Sequence, residues 1–206
     1  MARKLLYFNL NGIGEPIRYI LHYGGLKFED VQYDFDTWPI QSIKDTLPYG
    51  QLPLYEEDGK RLTQSIAIAR YVASQANLLP TDVWEQAELD AAVQNIYEYH
   101  SKVISFVRET DSVKKAALKR KILEEYVSLY FPKFERDLKK NNGHFGKTLS
   151  WADFVLVGIV EASKLFFNVE IQKQYPTVNS LVTKVHALPG VKEYIAKRTP
   201  YQFTQG

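Results

Sequence analysis

The chain changes its pattern once, around residues 77–82, and that single change limits the folds open to it. Before it, short strand and helix signals alternate. After it, strand signals largely stop and long helical patterns run on. Leu5 to Phe8 reads as a buried strand, and Glu15 to His22 as a helix with Pro16 in its first turn and Gly24-Gly25 at its end. Phe28 to Tyr33 alternates as a second strand, and the stretch after it reads as irregular. Pro53 to Glu56 and Arg61 to Thr63 flank Glu57-Asp58-Gly59, a hairpin signal, and a helix follows from Ser65 to about Ser74.

Beyond Ala76 to Thr81, where Asn77 and Pro80 act as breakers, Asp82-Val83-Trp84-Glu85 resembles a capping box. Helical patterns run from there to about Glu109 and from Val113 to about Lys140, and Asn141-Asn142-Gly143 breaks the second. Ser150-Trp151-Ala152-Asp153 starts a helix with almost no polar interruption through Val160, which predicts burial. Pro176 falls in the first turn of the next helix, and Pro189-Gly190 precedes a short last one. The expected organisation is an α/β domain over 1–76, a linker over 77–82 and an all-α domain over 83–206.

Composition excludes several classes of function. Net charge is +2, too near balance to argue for nucleic acid. Lys114, Lys115, Lys119, Arg120 and Lys121 alternate with Ala and Leu as a solvated helix face does. There is no cysteine, so disulfides, cysteine nucleophiles and thiolate metal sites are all absent. His22, His100, His144 and His186 lack ligand spacing, so no metal is expected. No apolar run approaches the roughly 18 residues of a membrane span, and no basic-then-apolar leader opens the chain. The expectation is a cytoplasmic protein without membrane or nucleic-acid partners.

Leu62-Thr63-Gln64-Ser65-Ile66-Ala67-Ile68-Ala69-Arg70-Tyr71 reads as a strand end, a polar pair and an apolar helix. Gln64 and Ser65 then sit where backbone N–H groups lack partners and the helix dipole favours an anion. The Ser65 hydroxyl can cap its own helix or grip a ligand carboxylate. Ser150 and Asp153 form an S-x-x-D capping box, which reads as helix nucleation rather than catalysis.

With Tyr7-Phe8-Asn9, Asp36-Thr37-Trp38-Pro39, Leu47-Pro48-Tyr49-Gly50-Gln51-Leu52-Pro53, Gln64 to Tyr71 and Trp151-Ala152-Asp153-Phe154 in this order, the chain resembles the cytosolic glutathione transferases, the sigma class above all. The resemblance covers essentially the whole chain. It implies a thioredoxin-like first domain, a helical second domain and a homodimer. It also implies conjugation of glutathione to hydrophobic electrophiles in detoxification, with glutathione as co-substrate and no other cofactor. A free thiol has a pKa near 8.5, so about a few per cent is ionised at neutral pH. The resemblance makes Tyr7 the catalytic residue, donating a hydrogen bond that favours the thiolate.

By the same resemblance Trp38, Lys44, Gly50, Gln51, Leu52 and Pro53 join Tyr7, Gln64 and Ser65 in binding glutathione. Leu52–Pro53 is expected to be cis, with the Leu52 backbone pairing with the cysteinyl unit as an added strand does. Tyr97 and Glu98 occupy positions that in related enzymes face the partner subunit's glutathione, and Glu98 can balance its amino group there. Phe8, Ile13, Val103, Ser105, Phe106, Tyr201 and Phe203 are the expected walls of an electrophile cleft with few fixed polar anchors. Ile13 and Ser105 stand where mammalian sigma enzymes carry an arginine and a tryptophan. Two alternatives fit the same residues: an isomerase of prostaglandin endoperoxide, and a crystallin-like structural protein with little turnover.

Overall fold

A computed structural model describes residues 2–200. The first part is a four-stranded sheet of β1 (Arg3–Phe8), β2 (Glu29–Tyr33), β3 (Leu54–Glu57) and β4 (Lys60–Thr63), in the order β2-β1-β3-β4. β1 runs parallel to β2 with Tyr7 opposite Gln32, and antiparallel to β3 with Leu6 opposite Leu54. β3 and β4 form the expected hairpin around Asp58 and Gly59. Helices α1 (Glu15–Tyr23) and α3 (Ser65–Gln75) cover the sheet, and α2 (Gln41–Lys44) is a single turn between β2 and β3. That turn lies in the stretch read from sequence as irregular. It buries no side chain, so it leaves no apolar period to find.

The second part is helical: α4 (Val83–Arg108), α5 (Ser112–Lys121), α6 (Val127–Lys140), α7 (Trp151–Phe167), α8 (Pro176–His186) and α9 (Val191–Lys197). Asp82 caps α4 by accepting from the N–H groups of Trp84 and Glu85 at 2.8 and 2.9 Å. Asp111 does the same for α5, accepting from Val113 and Lys114. A π-helical turn, Ile122–Tyr126, joins α5 to α6, so the pattern read as one helix from Val113 to Lys140 is two segments in line.

Helix α7 is the central rod, with Trp151, Phe154, Val155 and Phe167 all fully buried or nearly so. It packs against α4 on one side and α1 on the other. Tyr23 of α1 meets Phe154 of α7 with ring centroids 5.4 Å apart. The segment before α4 is held as well: Leu78 is 3% exposed, and its carbonyl accepts from the Trp151 N–H. The two parts therefore share one apolar core. The protein has a thioredoxin-like domain joined to a helical domain, as the alternation and its loss predict.

Candidate active site

The strand β1 delivers Tyr7 to the end of the sheet, where the chain turns through Asn9 to Gly14 into α1. Tyr7 is only 5% exposed. Its ring lies flat against this loop: a Cβ on Gly14 would fall 2.2 Å from the Tyr7 ring, and one on Gly12 would fall 2.6 Å from its hydroxyl. Both positions need glycine for that reason. Burial pushes the phenol up to about 12, although the Arg18 guanidinium and the backbone N–H groups of Ile13 and Gly14 pull it down. Tyr7 thus stays protonated at neutral pH while those groups polarise its O–H bond. Arg18 sits 5.7 Å from the ring centroid. It is fully buried and held by Glu15, Asp30 and the carbonyls of Phe8 and Leu10.

Two adjoining cavities open here. One, of about 350 Å³, is lined by Trp38, Gly50, Gln51, Leu52, Pro53, Gln64 and Ser65, with Tyr49 and Thr63 at its edge. The structure thus gathers most of the residues expected to meet glutathione, from three separate segments. The Leu52–Pro53 bond is cis. Trp38 is fixed edge-on to Phe8, with centroids 5.4 Å apart. Lys44 is placed differently from the others: its stem packs beneath Gly50, and it is not among the lining residues.

The reading of Ser65 as a cap of its own helix does not hold in the fold. Gln64 is the N-cap residue of α3, at φ 71°, and makes no side-chain cap, while Ser65 is already inside the helix. The buried Ser65 hydroxyl instead accepts from the Tyr97 hydroxyl at 2.9 Å. Its own O–H is then left to donate toward the cavity. Tyr97 thus reaches from α4 to the Ser65 of its own chain. Glu98, on the same helix, accepts from the Tyr130 hydroxyl at 3.3 Å.

The second cavity, of about 460 Å³, holds Tyr7, Leu10, Tyr97, His100, Ser101, Ile104, Ser105, Val107 and Phe166. Phe8, Ile13, Phe35, Leu52 and Arg108 line both cavities. The expected walls Phe8, Ile13 and Ser105 are present. Val103 and Phe106 are not: Val103 is fully buried in the helical core, and Phe106 packs on Phe167 at 5.0 Å. The reason is helical phase. On α4 the cleft face is set by residues 97, 100, 101, 104, 105, 107 and 108, and each step of one residue rotates the side chain by about 100°. Tyr201 and Phe203 lie outside the described residues.

The cleft also carries more polar groups than expected, among them His100. That imidazole is 4% exposed, makes no hydrogen bond among the described residues, and is pushed down by burial to about 4, so it is neutral. Phe35, His100, Ile104 and Arg108 were missed because they carry no motif. The run of α4 positions spaced three or four apart was the one available signal. No group of His, Asp and Glu suited to a metal occurs among the described residues. Asp153 is remote from both cavities and fully buried. It accepts from the N–H groups of Ser150 and Phe145 at 2.8 and 3.0 Å, as a capping residue does.

This arrangement has close counterparts. Residues 3–74 match the glutathione S-transferase N-terminal domain, and residues 97–198 the glutathione S-transferase C-terminal domain. The chain is 36% identical over 197 residues to a glutathione S-transferase of Anopheles gambiae, covering 95% of this chain and 96% of that one. It is 33% identical to the hematopoietic prostaglandin D synthase of Homo sapiens, covering 95% and 96%. A solved structure of prostaglandin synthase D of Nilaparvata lugens superposes with a TM-score of 0.92 at 37% identity, covering 98% of this chain and all of that one. A buried tyrosine beside a cavity built from Gln51-Leu52-Pro53 and Gln64-Ser65, on this two-domain frame, places the chain in the glutathione S-transferase family.

Proposed function

We propose that the protein is a cytoplasmic, homodimeric glutathione transferase of sigma type that conjugates glutathione to hydrophobic electrophiles. The observation that carries this reading is the protonated Tyr7 hydroxyl beside a cavity lined by Leu52, Gln64 and Ser65. The domain limits follow the sequence reading: glutathione on residues 1–76, a linker over 77–82, and electrophile and dimer contacts on 83–206. Leu52 pairs with the cysteinyl backbone, and Gln64 and Ser65 hold the γ-glutamyl carboxylate at the start of α3. Trp38, Lys44, Gly50, Gln51 and Pro53 complete that site, with Glu98 reaching the partner's glutathione. The thiol then lies next to Tyr7. Lowering its pKa by about 2 units takes roughly 2.7 kcal/mol, and one hydrogen bond to a charged group supplies about 1.5 to 3. The thiolate attacks an electrophile lodged over Phe8, Ile13 and Ser105. Tyr49, 73% exposed, and Tyr71, 43% exposed, supply apolar surface for a second copy of the chain.

The test is glutathione binding, followed by quenching of Trp38 fluorescence, together with conjugation to an aryl halide. A protein that binds glutathione without turning over is the crystallin-like alternative. A second reading, isomerisation of prostaglandin endoperoxide, is supported by the names of several relatives. The specificity constant for the endoperoxide, measured beside that for an unsaturated aldehyde, separates the two. Ser105 leaves the cleft wider than a large aromatic would, which favours broad conjugation.

A further inference from the structure

We infer that the electrophile cleft selects substrates carrying a carboxylate, and that Arg108 is the residue that selects them. This rests on the transferase reading above. Among the described residues, Arg108 is the single charged side chain lining either cavity, and no Asp or Glu lines either one. It is also unclaimed. Arg3, Arg18, Arg61, Arg70, Arg136 and Arg198 all sit in ion pairs. Arg108 makes no hydrogen bond or ion pair with any described residue. The carboxylate next to it in sequence is occupied, since Glu109 accepts from the N–H groups of Thr110 and Asp111, both at 2.9 Å.

Position gives the charge a use. Arg108 is the last residue of α4, where a cation suits the helix dipole. The dipole alone does not call for a place on the wall of both cavities. Tyr97 and His100, one turn apart, lie deep in the cleft beside Tyr7, while Arg108 lies two turns further along the same helix at the exposed rim. The rise from His100 to Arg108 is about 12 Å. Between them the walls are mostly apolar, from Ile104, Val107, Ile13, Phe35 and Phe166, while the Ser101 and Ser105 hydroxyls donate to carbonyls of their own helix. Such a channel fits an apolar stem with its reactive carbon at the deep end and an anion at the rim. The planar guanidinium matches a carboxylate in two parallel hydrogen bonds.

Glutathione also has carboxylates, and Arg108 borders its cavity, so the experiment must tell the two sources apart. The probes are a straight-chain keto acid, with about six methylenes between enone and carboxylate to span the cleft, and its methyl ester. In each, the thiolate sulfur adds to the β-carbon, the alkene pair moves to the carbonyl oxygen, and a proton from water restores the ketone. The unmodified protein is expected to prefer the acid, and added salt should erode that preference through screening. In Arg108→Gln the acid-to-ester ratio of kcat/KM should fall roughly 3- to 10-fold, through KM for the acid. Arg108→Lys should restore part of it. An unchanged ratio in Arg108→Gln overturns the proposal, and so does a ratio near one in the unmodified protein. If KM for glutathione rises while the ratio stays put, Arg108 belongs to glutathione instead. A protein that neither binds glutathione nor conjugates an aryl halide fails the transferase reading itself.

Discussion

On the proposed mechanism a single hydroxyl, that of Tyr7, carries the chemistry, and its setting is arranged by a buried guanidinium and two backbone amides. Burial keeps the proton on, and Arg18 with the Ile13 and Gly14 amides draws electron density from the oxygen. Tyr7→Phe is expected to lower kcat by about 10- to 150-fold, the worth of one charge-assisted hydrogen bond, with a smaller change in glutathione KM. The thiol pKa of bound glutathione should rise, so the ascending limb of the pH–rate profile moves to higher pH. A variant with the parental rate and profile would remove Tyr7 from the mechanism. Gln64→Ala and Ser65→Ala should show the reverse pattern, a raised KM for glutathione with less effect on the limiting rate, because the proposed site sets them on a part of glutathione remote from sulfur. Steady-state kinetics with glutathione varied reads both. Tyr97 belongs beside them, since its hydroxyl fixes that of Ser65.

Among the elements, two helix starts are secured by carboxylates from outside the first turn or at its end, and each makes a prediction about folding. Asp153 ties the start of α7 to the loop before it, through Ser150, Phe145 and the His144 ring. Asp153→Ala strands these buried donors and should cost about 2 to 3 kcal/mol. Thermal melting should show the loss, while the folded fraction keeps near-normal KM values. Glu135 of α6 does for α8 what no residue of α8 does for itself. Its carboxylate accepts from the N–H groups of Thr177 and Val178 at 2.9 to 3.0 Å and from the Thr177 hydroxyl at 2.8 Å. Burial alone would raise its pKa, but these bonds outweigh burial and hold it below its ordinary 4.5. A depressed carboxylate contributes stability that is present above its unfolded pKa and lost as pH falls through the folded one. Glu135→Gln should therefore destabilise by about 1 to 2 kcal/mol at neutral pH. Urea melts should show the gap closing below pH of about 4.5.

For the whole molecule, what matters is that the sheet domain and the helical domain are one packed body. One close approach is at Gly158 of α7, where a Cβ would fall 2.6 Å from the Pro16 ring of α1. Pro16 is two residues from Gly14, which bears on Tyr7. Gly158→Ala must push the two helices apart and should cost about 1 to 3 kcal/mol. Differential scanning calorimetry is expected to show one transition at lower temperature, accompanied by a loss of kcat as Tyr7 shifts. A lowered melting point with unchanged kcat would mean that the interface yields away from the active site. Buried charges brace the same junction. Arg198, just past α9, pairs with Glu15 of α1 and with Glu161 of α7, and Tyr19 donates to Glu161.

Much of this was legible in the residues themselves. The β-α-β then β-β-α order, the Asp82 cap, the Ser150–Asp153 start and the buried run of α7 all rest on local signals: period, caps, and glycine or proline at the ends. Such signals act within a few residues, so a sequence carries them openly. The cluster of Trp38, Gln51, Leu52, Gln64 and Ser65 was legible because each sits in a motif. What the sequence left open was every question of reach. Whether Ser65 caps its helix was decided by Gln64 taking the N-cap position and by Tyr97, on a helix far along the chain, supplying the hydrogen bond. Whether Val103 or Ile104 faces the cleft was decided by how α4 is rotated against α7. The glycines at 12 and 14 became necessary only once the Tyr7 ring lay on them. Arg108 gained its place only when the helical domain packed on the sheet domain and brought the end of α4 to the edge of both cavities. Long-range packing sets these outcomes, and no local pattern encodes which distant side chain will arrive.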